Sequence, residues 1–254
     1  MSTLSVNNIE AAQGGVVNIP AGYSISVDGI LINGNTLPPT PSGSNQGQAL
    51  YVNSSGSLDF STSGPRSIQT FTSSGTWTKP SGISKVIVQI VGGGGAASSY
   101  GESGAAGGFS EKLIDVTGTN SVTVTVGQGS SAYTSYSGRA GGGGTSSFGS
   151  FMSATGGGGG NSAHQHCGGL PGLGSGGDLN IYGGGGAGHS YYGRFGGGDS
   201  FFGGGGAAGH PQGGYYAYNN RELVAAGGGG SGGYHYYSHG ATGKDGVVIV
   251  YEYS

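Results

Sequence analysis

The chain has 254 residues, 64 of them glycine, and a net charge of −3 with only 7% charged side chains. Eight dispersed lysines and arginines leave no electrostatic footprint for nucleic acid, and the small net charge does not hold the chain open as a solvated acidic or basic tail would be held. A single cysteine excludes an intrachain disulfide framework. The opening residues lack a basic and then apolar leader, so no secretory signal is expected. The longest apolar stretch, 86–91, is interrupted by Gln89 and is far too short to span a bilayer.

In chain order, the first expected part is residues 1–43. Tyr23, Ile25 and Val27 alternate with serines, as a half-buried strand requires. Asp28-Gly29 and Asn33-Gly34 are turn dipeptides, and Pro38-Pro39-Thr40-Pro41 ends regular structure as a stiff spacer. Residues 44–66 hold a hairpin candidate, with 48–53 and 57–61 flanking Ser54-Ser55-Gly56. Leu50, Val52, Leu58 and Phe60 give it one apolar face, which needs copies of itself or another layer to be covered.

Residues 67–254 form the main expected domain. Its first segment, 71–78, reads as a hairpin. A strand over 85–91 carries Val86, Val88 and Ile90 on one face, and 109–116 is a further candidate. The alternation is clearest over 121–126, where Val122, Val124 and Val126 are spaced by threonines. More than a hundred residues without amphipathic period follow, and 247–253 is again a strand rich in β-branched and aromatic residues. Strands at both ends of the aperiodic region predict that the two ends share a sheet and that the glycine region between them is ordered. No helix is expected beyond a single turn at 221–226.

Six runs of four or five glycines occupy 92–95, 141–144, 156–160, 183–186, 203–206 and 227–230. Fixing a backbone costs roughly 1–2 kcal/mol per residue, and glycine is the extreme case. With few side chains to bury, backbone hydrogen bonds and weak Cα–H···O contacts must supply the compensation. Polyproline-II-type rods meet this need. They have three residues per turn and no internal hydrogen bonds, so their N–H and C=O groups project on three sides toward neighbouring rods. Collagen is excluded, because no strict Gly-X-Y period appears and prolines number only eight. The expected fold is therefore all-β with a polyglycine-II-type region, strands framing stacked rods.

The segments between glycine runs concentrate tyrosine, histidine, serine and asparagine. The candidate receptor-binding residues are Tyr191, Tyr192, Tyr215, Tyr216, Tyr218, Tyr234, His235, Tyr236 and Tyr237. Tyrosine offers a large rigid contact at small entropic cost, and the small residues around it let a loop adapt. The alternative role is to cap the rod ends and fill space. His164 and His166 form a His-x-His pair beside Cys167; the default reading is a solvated pair with the cysteine as a small filler, so no metal is assigned. Acidic residues are too scattered for a glycosidase pair, no nucleophile elbow is present, and the glycine runs lack the lysine of a phosphate loop. Neither catalysis nor a cofactor is expected.

The ordered series Phe71-Thr72-Ser73-Ser74-Gly75-Thr76-Trp77-Thr78-Lys79-Pro80, then Val86-Ile87-Val88-Gln89-Ile90-Val91 leading into the first glycine run, and finally Gly246-Val247-Val248-Ile249-Val250-Tyr251, resembles the glycine-rich domain of bacteriophage tail fibres and adhesins over about 68–253. The start, Leu4-Ser5-Val6-Asn7-Asn8-Ile9, is similar to the opening of short fibre proteins of marine phages, and 47–60 is similar to shaft hairpins of trimeric fibres. The resemblance implies a homotrimeric structural protein of the virion, made in the host cytoplasm. It would join tail or baseplate proteins through residues 1–43 and contact a bacterial surface glycan or outer-membrane protein through its tip. In some such adhesins, loops between glycine runs determine receptor choice. A capsid fibre or filament-forming subunit without receptor binding is the alternative, and an ice-binding stack of rods is disfavoured by the bulky tyrosine clusters.

Overall fold

The computed structural model describes residues 31–32, 35–36, 48–52, 58–62, 64–99, 101–131, 138–162, 167–188, 196–206, 225–232 and 240–254. The chain divides into two compact units, 1–63 and 64–254. Among the described residues there is no helix.

In the first unit, β1 (Leu31–Ile32) and β2 (Asn35–Thr36) pair antiparallel on either side of Asn33-Gly34, the turn dipeptide. The hairpin expected further on is present. Strand β3 (Gln48–Val52) pairs with β4 (Leu58–Thr62), and the register sets Leu50 opposite Phe60 and Val52 opposite Leu58. Val52 is 63% exposed, as a two-stranded hairpin leaves its apolar residues. The strand read over 23–27 lies outside the described residues, as does most of the helical turn read at 221–226.

The second unit opens with a sandwich. One sheet contains β5 (Ser67–Phe71), β7 (Lys85–Val91), β8 (Phe109–Asp115), β13 (Leu179–Ile181) and β14 (Val247–Tyr253), in the spatial order β13-β8-β7-β14-β5. The other contains β6 (Gly75–Thr78), β9 (Ser121–Thr125), β10 (Ser146–Phe148), β11 (Met152–Ala154) and β12 (Gly174–Ser175), in the order β12-β11-β10-β9-β6. Alternation dictates what lies between them. Val86, Val88, Ile90, Val248 and Val250 from the first sheet meet Trp77, Val122, Val124, Phe148 and Met152 from the second, all buried in one cluster. The closing strand β14 lies between β7 and β5, antiparallel to both, whereas β9, which leads into the aperiodic region, belongs to the other sheet, so the two strands that bracket that region do not share a sheet as expected.

Another expectation fails. Segment 71–78 is not a hairpin, because β5 and β6 belong to different sheets. Phe71 pairs with Val248 and Trp77 with Val122. The chain turns a corner over 72–74, so that each strand finds a longer partner elsewhere. The corner is pinned by Glu252 on β14. This residue is fully buried and accepts hydrogen bonds from Gln69 Nε2 (2.7 Å), Trp77 Nε1 (2.7 Å) and Ser67 Oγ. It thus joins the two sheets through their edge strands.

At the end of the sandwich where β8 turns into β9, Asp115 Oδ1 accepts from both the amide (2.9 Å) and the hydroxyl (2.7 Å) of Thr117. These bonds favour the ionised carboxylate and hold its pKa below the ordinary aspartate value, the side-chain bond being the largest cause. A carboxyl with a depressed folded pKa stabilises the fold above its unfolded pKa, and that contribution is lost as pH falls through the folded value. An NMR titration is expected to place the Asp115 midpoint below that of an exposed aspartate, and Thr117→Val to move it up. An unshifted midpoint in the parent protein would contradict the assignment.

From the opposite end of the sandwich the strands run directly into extended glycine-rich rods. The 92–98 rod continues β7. Its amides sort by threes: Gly92, Gly95 and Ser98 donate to the 102–108 rod; Gly93 and Ala96 donate to 139–144; Gly94 and Ala97 donate to 240–246. Its carbonyls accept from three further rods, Gly157 and Gly160 bonding Gly93 and Ala96, Ser130 bonding Gly94, and Gly230 bonding Gly95. The 102–108 rod repeats the scheme, with Ser103 and Ala106 donating to 183–187, Gly104 and Gly107 to 227–230, and Ala105 and Gly108 to 155–158. This is the three-residue period of a polyproline-II helix read out in hydrogen bonds of 2.8–3.0 Å. Each inner rod is bonded on all sides, so the lattice is hexagonal, and residues 91–99 and 101–110 are buried throughout.

Glycine is required here for closeness and not for backbone angle. A Cβ on Gly94 would lie 1.9 Å from the carbonyl oxygen of Gly228, and one on Gly104 would lie 1.9 Å from that of Gly95. Among the described glycines, positive φ is confined to a few turns and rod ends, such as Gly101 and Gly227. Ser146 joins sandwich to lattice: its buried hydroxyl donates to Val91 O (2.7 Å) and accepts from Gly127 N (2.9 Å).

Candidate functional site

The connectivity separates a sandwich end of the lattice from a distal end. Strands enter or leave rods at one end of the lattice, at 91/92, 108/109, 126/127, 145/146, 154/155, 173/174, 182/183 and 246/247. The opposite, distal ends are bonded to one another. Ser98 donates to Glu102 O, Ser162 to Gly138 O, Ser103 to Ala187 O and Ala241 to Ser231 O, while Asn161 and Cys167 exchange both backbone bonds. The described residues flanking 132–137, 163–166, 189–195 and 233–239 therefore all stand at this distal end. Of the described residues flanking 207–224, Gly206 ends the 203–206 rod, and the amide of Ala225 bonds back to Gly204 O, so these two do not both stand at the distal end.

The candidate residues Tyr191, Tyr192, Tyr215, Tyr216, Tyr218, Tyr234, His235, Tyr236 and Tyr237 lie outside the described residues, and so do His164 and His166. What the structure describes is the distal end of the rods. Ser98, Ser99, Glu102 and Ser103 are buried at the first distal turn, where Ser98 Oγ bonds the Glu102 carboxyl group. The turn passes through Gly101 at φ 106°, a conformation that only glycine adopts cheaply. A rigid base of this kind is what a binding loop needs to present its side chains in one geometry.

The distal part of the lattice also carries a cavity of about 210 Å³, lined by Arg139, Gly159, Asn161, Cys167, Gly168 and Leu170. Three rods meet there, 139–144, 155–162 and 167–173, held by the bridges Arg139–Asn161 and Asn161–Cys167. The sequence offers no local sign of it. Arg139 is a single cation between Gly138 and Ala140, and only the neighbour relations of three rods give it walls. Cys167, read as a filler, lines the cavity. Among the described residues no group of three or more His, Cys, Asp and Glu is placed to hold a metal ion.

Nearer the sheets, Phe109 at the start of β8 is buried and stacks on Phe201 with ring centroids 3.7 Å apart, while Phe202 meets it edge-on at 6.2 Å. The turn that carries Phe201 and Phe202 thus closes one outer side of the first sheet where it meets the lattice.

The architecture of sandwich, glycine runs and closing strand coincides with a known family. A family model described as a glycine-rich domain matches residues 69–253. The chain belongs to the glycine-rich domain family. The match spans the second unit almost from end to end, so the family pattern covers sandwich and lattice together. A search of curated proteins gave no significant match.

Proposed function

We propose that this glycine-rich chain is a structural protein of a bacteriophage virion, a homotrimeric tail fibre or adhesin that attaches the particle to a bacterial surface glycan or outer-membrane protein. Residues 1–43 join it to tail or baseplate proteins, and the segments between rods make the receptor contact. The observation that carries this reading is that the described residues flanking 132–137, 163–166, 189–195 and 233–239 stand together at the distal end of a densely hydrogen-bonded lattice. The sequence of those segments supports it, since aromatic side chains dominate recognition surfaces. The resemblance of the Thr76-Trp77-Thr78 segment, the valine strand and the closing strand to phage fibre domains supplies the biological setting.

The test is adsorption. Replacing Tyr215, Tyr216 and Tyr218 together by serine is expected to lower the rate of particle adsorption to host cells about a hundredfold or more, as for the loss of several hot-spot aromatics worth about 2 kcal/mol each. Circular dichroism and the melting temperature should be unchanged. Adsorption at the parental rate would reject these tyrosines as the contact, and would favour the alternative of a capsid fibre or filament subunit without receptor binding.

A further inference from the structure

The cavity beside Arg139 has features that the rod lattice does not need. Along the 155–162 rod, amides 157 and 160 donate to the 92–98 rod, and 158 and 161 donate to the 167–173 rod. Gly159, in the third direction, donates to no described residue, although it is buried and lines the cavity. A buried amide without a partner is uncommon and calls for an acceptor. Arg139, on the facing rod, is exposed, and no acidic side chain among the described residues pairs with it. An unpaired guanidinium and an unpaired amide therefore border one small cavity. Asn161 also borders it, and Leu170, 72% exposed, adds an apolar wall.

We infer that this cavity is a binding site for a single acidic sugar, a uronic acid unit of a surface polysaccharide. The guanidinium fork matches a carboxylate in planar two-point geometry. The Gly159 amide adds a donor, and backbone groups of the surrounding rods suit ring hydroxyls. Leu170 packs against the apolar face of the ring. At about 210 Å³ the cavity is smaller than a drug-sized pocket and suits one sugar unit. The inference rests on the adhesin reading for its biological sense, and it narrows the receptor from any surface molecule to an acidic glycan.

The experiment is a titration of the full-length chain, labelled with ¹⁵N, with glucuronate, galacturonate, glucose and inorganic phosphate in turn. One or both uronates are expected to shift the Gly159 and Gly168 amide resonances with a dissociation constant of about 1 mM. Glucose should leave them in place, and Arg139→Gln should weaken the uronate at least tenfold without changing the rest of the spectrum. Uronates that move neither resonance overturn the inference. So does glucose acting as well as uronate, or phosphate binding as tightly as either uronate, which would make the cavity a plain anion site. Failure here and failure of the adhesin reading are separable. Arg139→Gln particles that adsorb normally, beside tyrosine variants that do not, reject the sugar site alone. Uronate binding that requires Arg139, beside normal adsorption of both variants, rejects the adhesin reading alone.

Discussion

Gly104→Ala is expected to destabilise the second unit by more than ~3 kcal/mol, the upper range of overpacking effects, and to lower its melting temperature by about 10 °C. The added methyl would sit 1.9 Å from Gly95 O and 2.5 Å from Gly95 C, both backbone atoms of the other inner rod. A flexible side chain could swing aside, but these atoms cannot. The Gly95 amide bonds Ala105 O, its carbonyl accepts from Gly230, and Gly104 itself bonds Gly230 and Gly198. Relief therefore requires moving an inner rod away from several neighbours at once. Gly185→Ala is the matched control, because a Cβ there meets nothing within 4 Å. It should be neutral or stabilising by up to about 1 kcal/mol, through loss of unfolded-state entropy. Equal melting temperatures for the two variants would show that the lattice is not close-packed.

Glu252→Ala is expected to cost about 3 kcal/mol or more, since it leaves the buried Trp77 indole N–H without its acceptor and opens a void at the junction of the sheets. Trp77 is fully buried and its indole N–H has the Glu252 carboxyl as its acceptor. Glu252→Gln keeps an acceptor oxygen for the indole, and Ser67 can turn its hydroxyl to accept from the new amide. That variant should lose only about 1 kcal/mol. Trp77 is the only tryptophan in the chain, so its fluorescence reports the junction directly. Chemical denaturation followed at Trp77 should rank parent, glutamine and alanine in that order. An alanine variant as stable as the parent would remove Glu252 from any structural role.

The buried glutamate was not visible in the sequence, where Glu252 is one acidic residue among tyrosines near the end of the chain. Its importance comes from Ser67, Gln69 and Trp77, which reach it only after β14 has paired with β5 and the two sheets have closed. The hairpin reading of 71–78 failed for the same reason. Two short strands on either side of Ser73 and Ser74 satisfy every local rule for a hairpin, yet β5 pairs with β14 and β6 with β9. Strands β10 to β13 were missed because they are two or three residues long, too short to show a period of two.

Legible in the chain alone was whatever side chains, or their absence, dictate locally. The alternating valines of β7 and β9 made a buried sheet face, and the closing strand returned to the first sheet. Long glycine runs, with no side chains to bury, left backbone hydrogen bonding between extended rods as the means of order. The folded arrangement was needed to set which rod lies beside which, to bring rod ends together at the distal end of the lattice, and to place Arg139 at the border of a cavity. Glycines are alike, and a bare backbone carries no label for its partner. For the rods that continue a strand, the choice of neighbour is made by the sandwich, whose strand order fixes where they meet it.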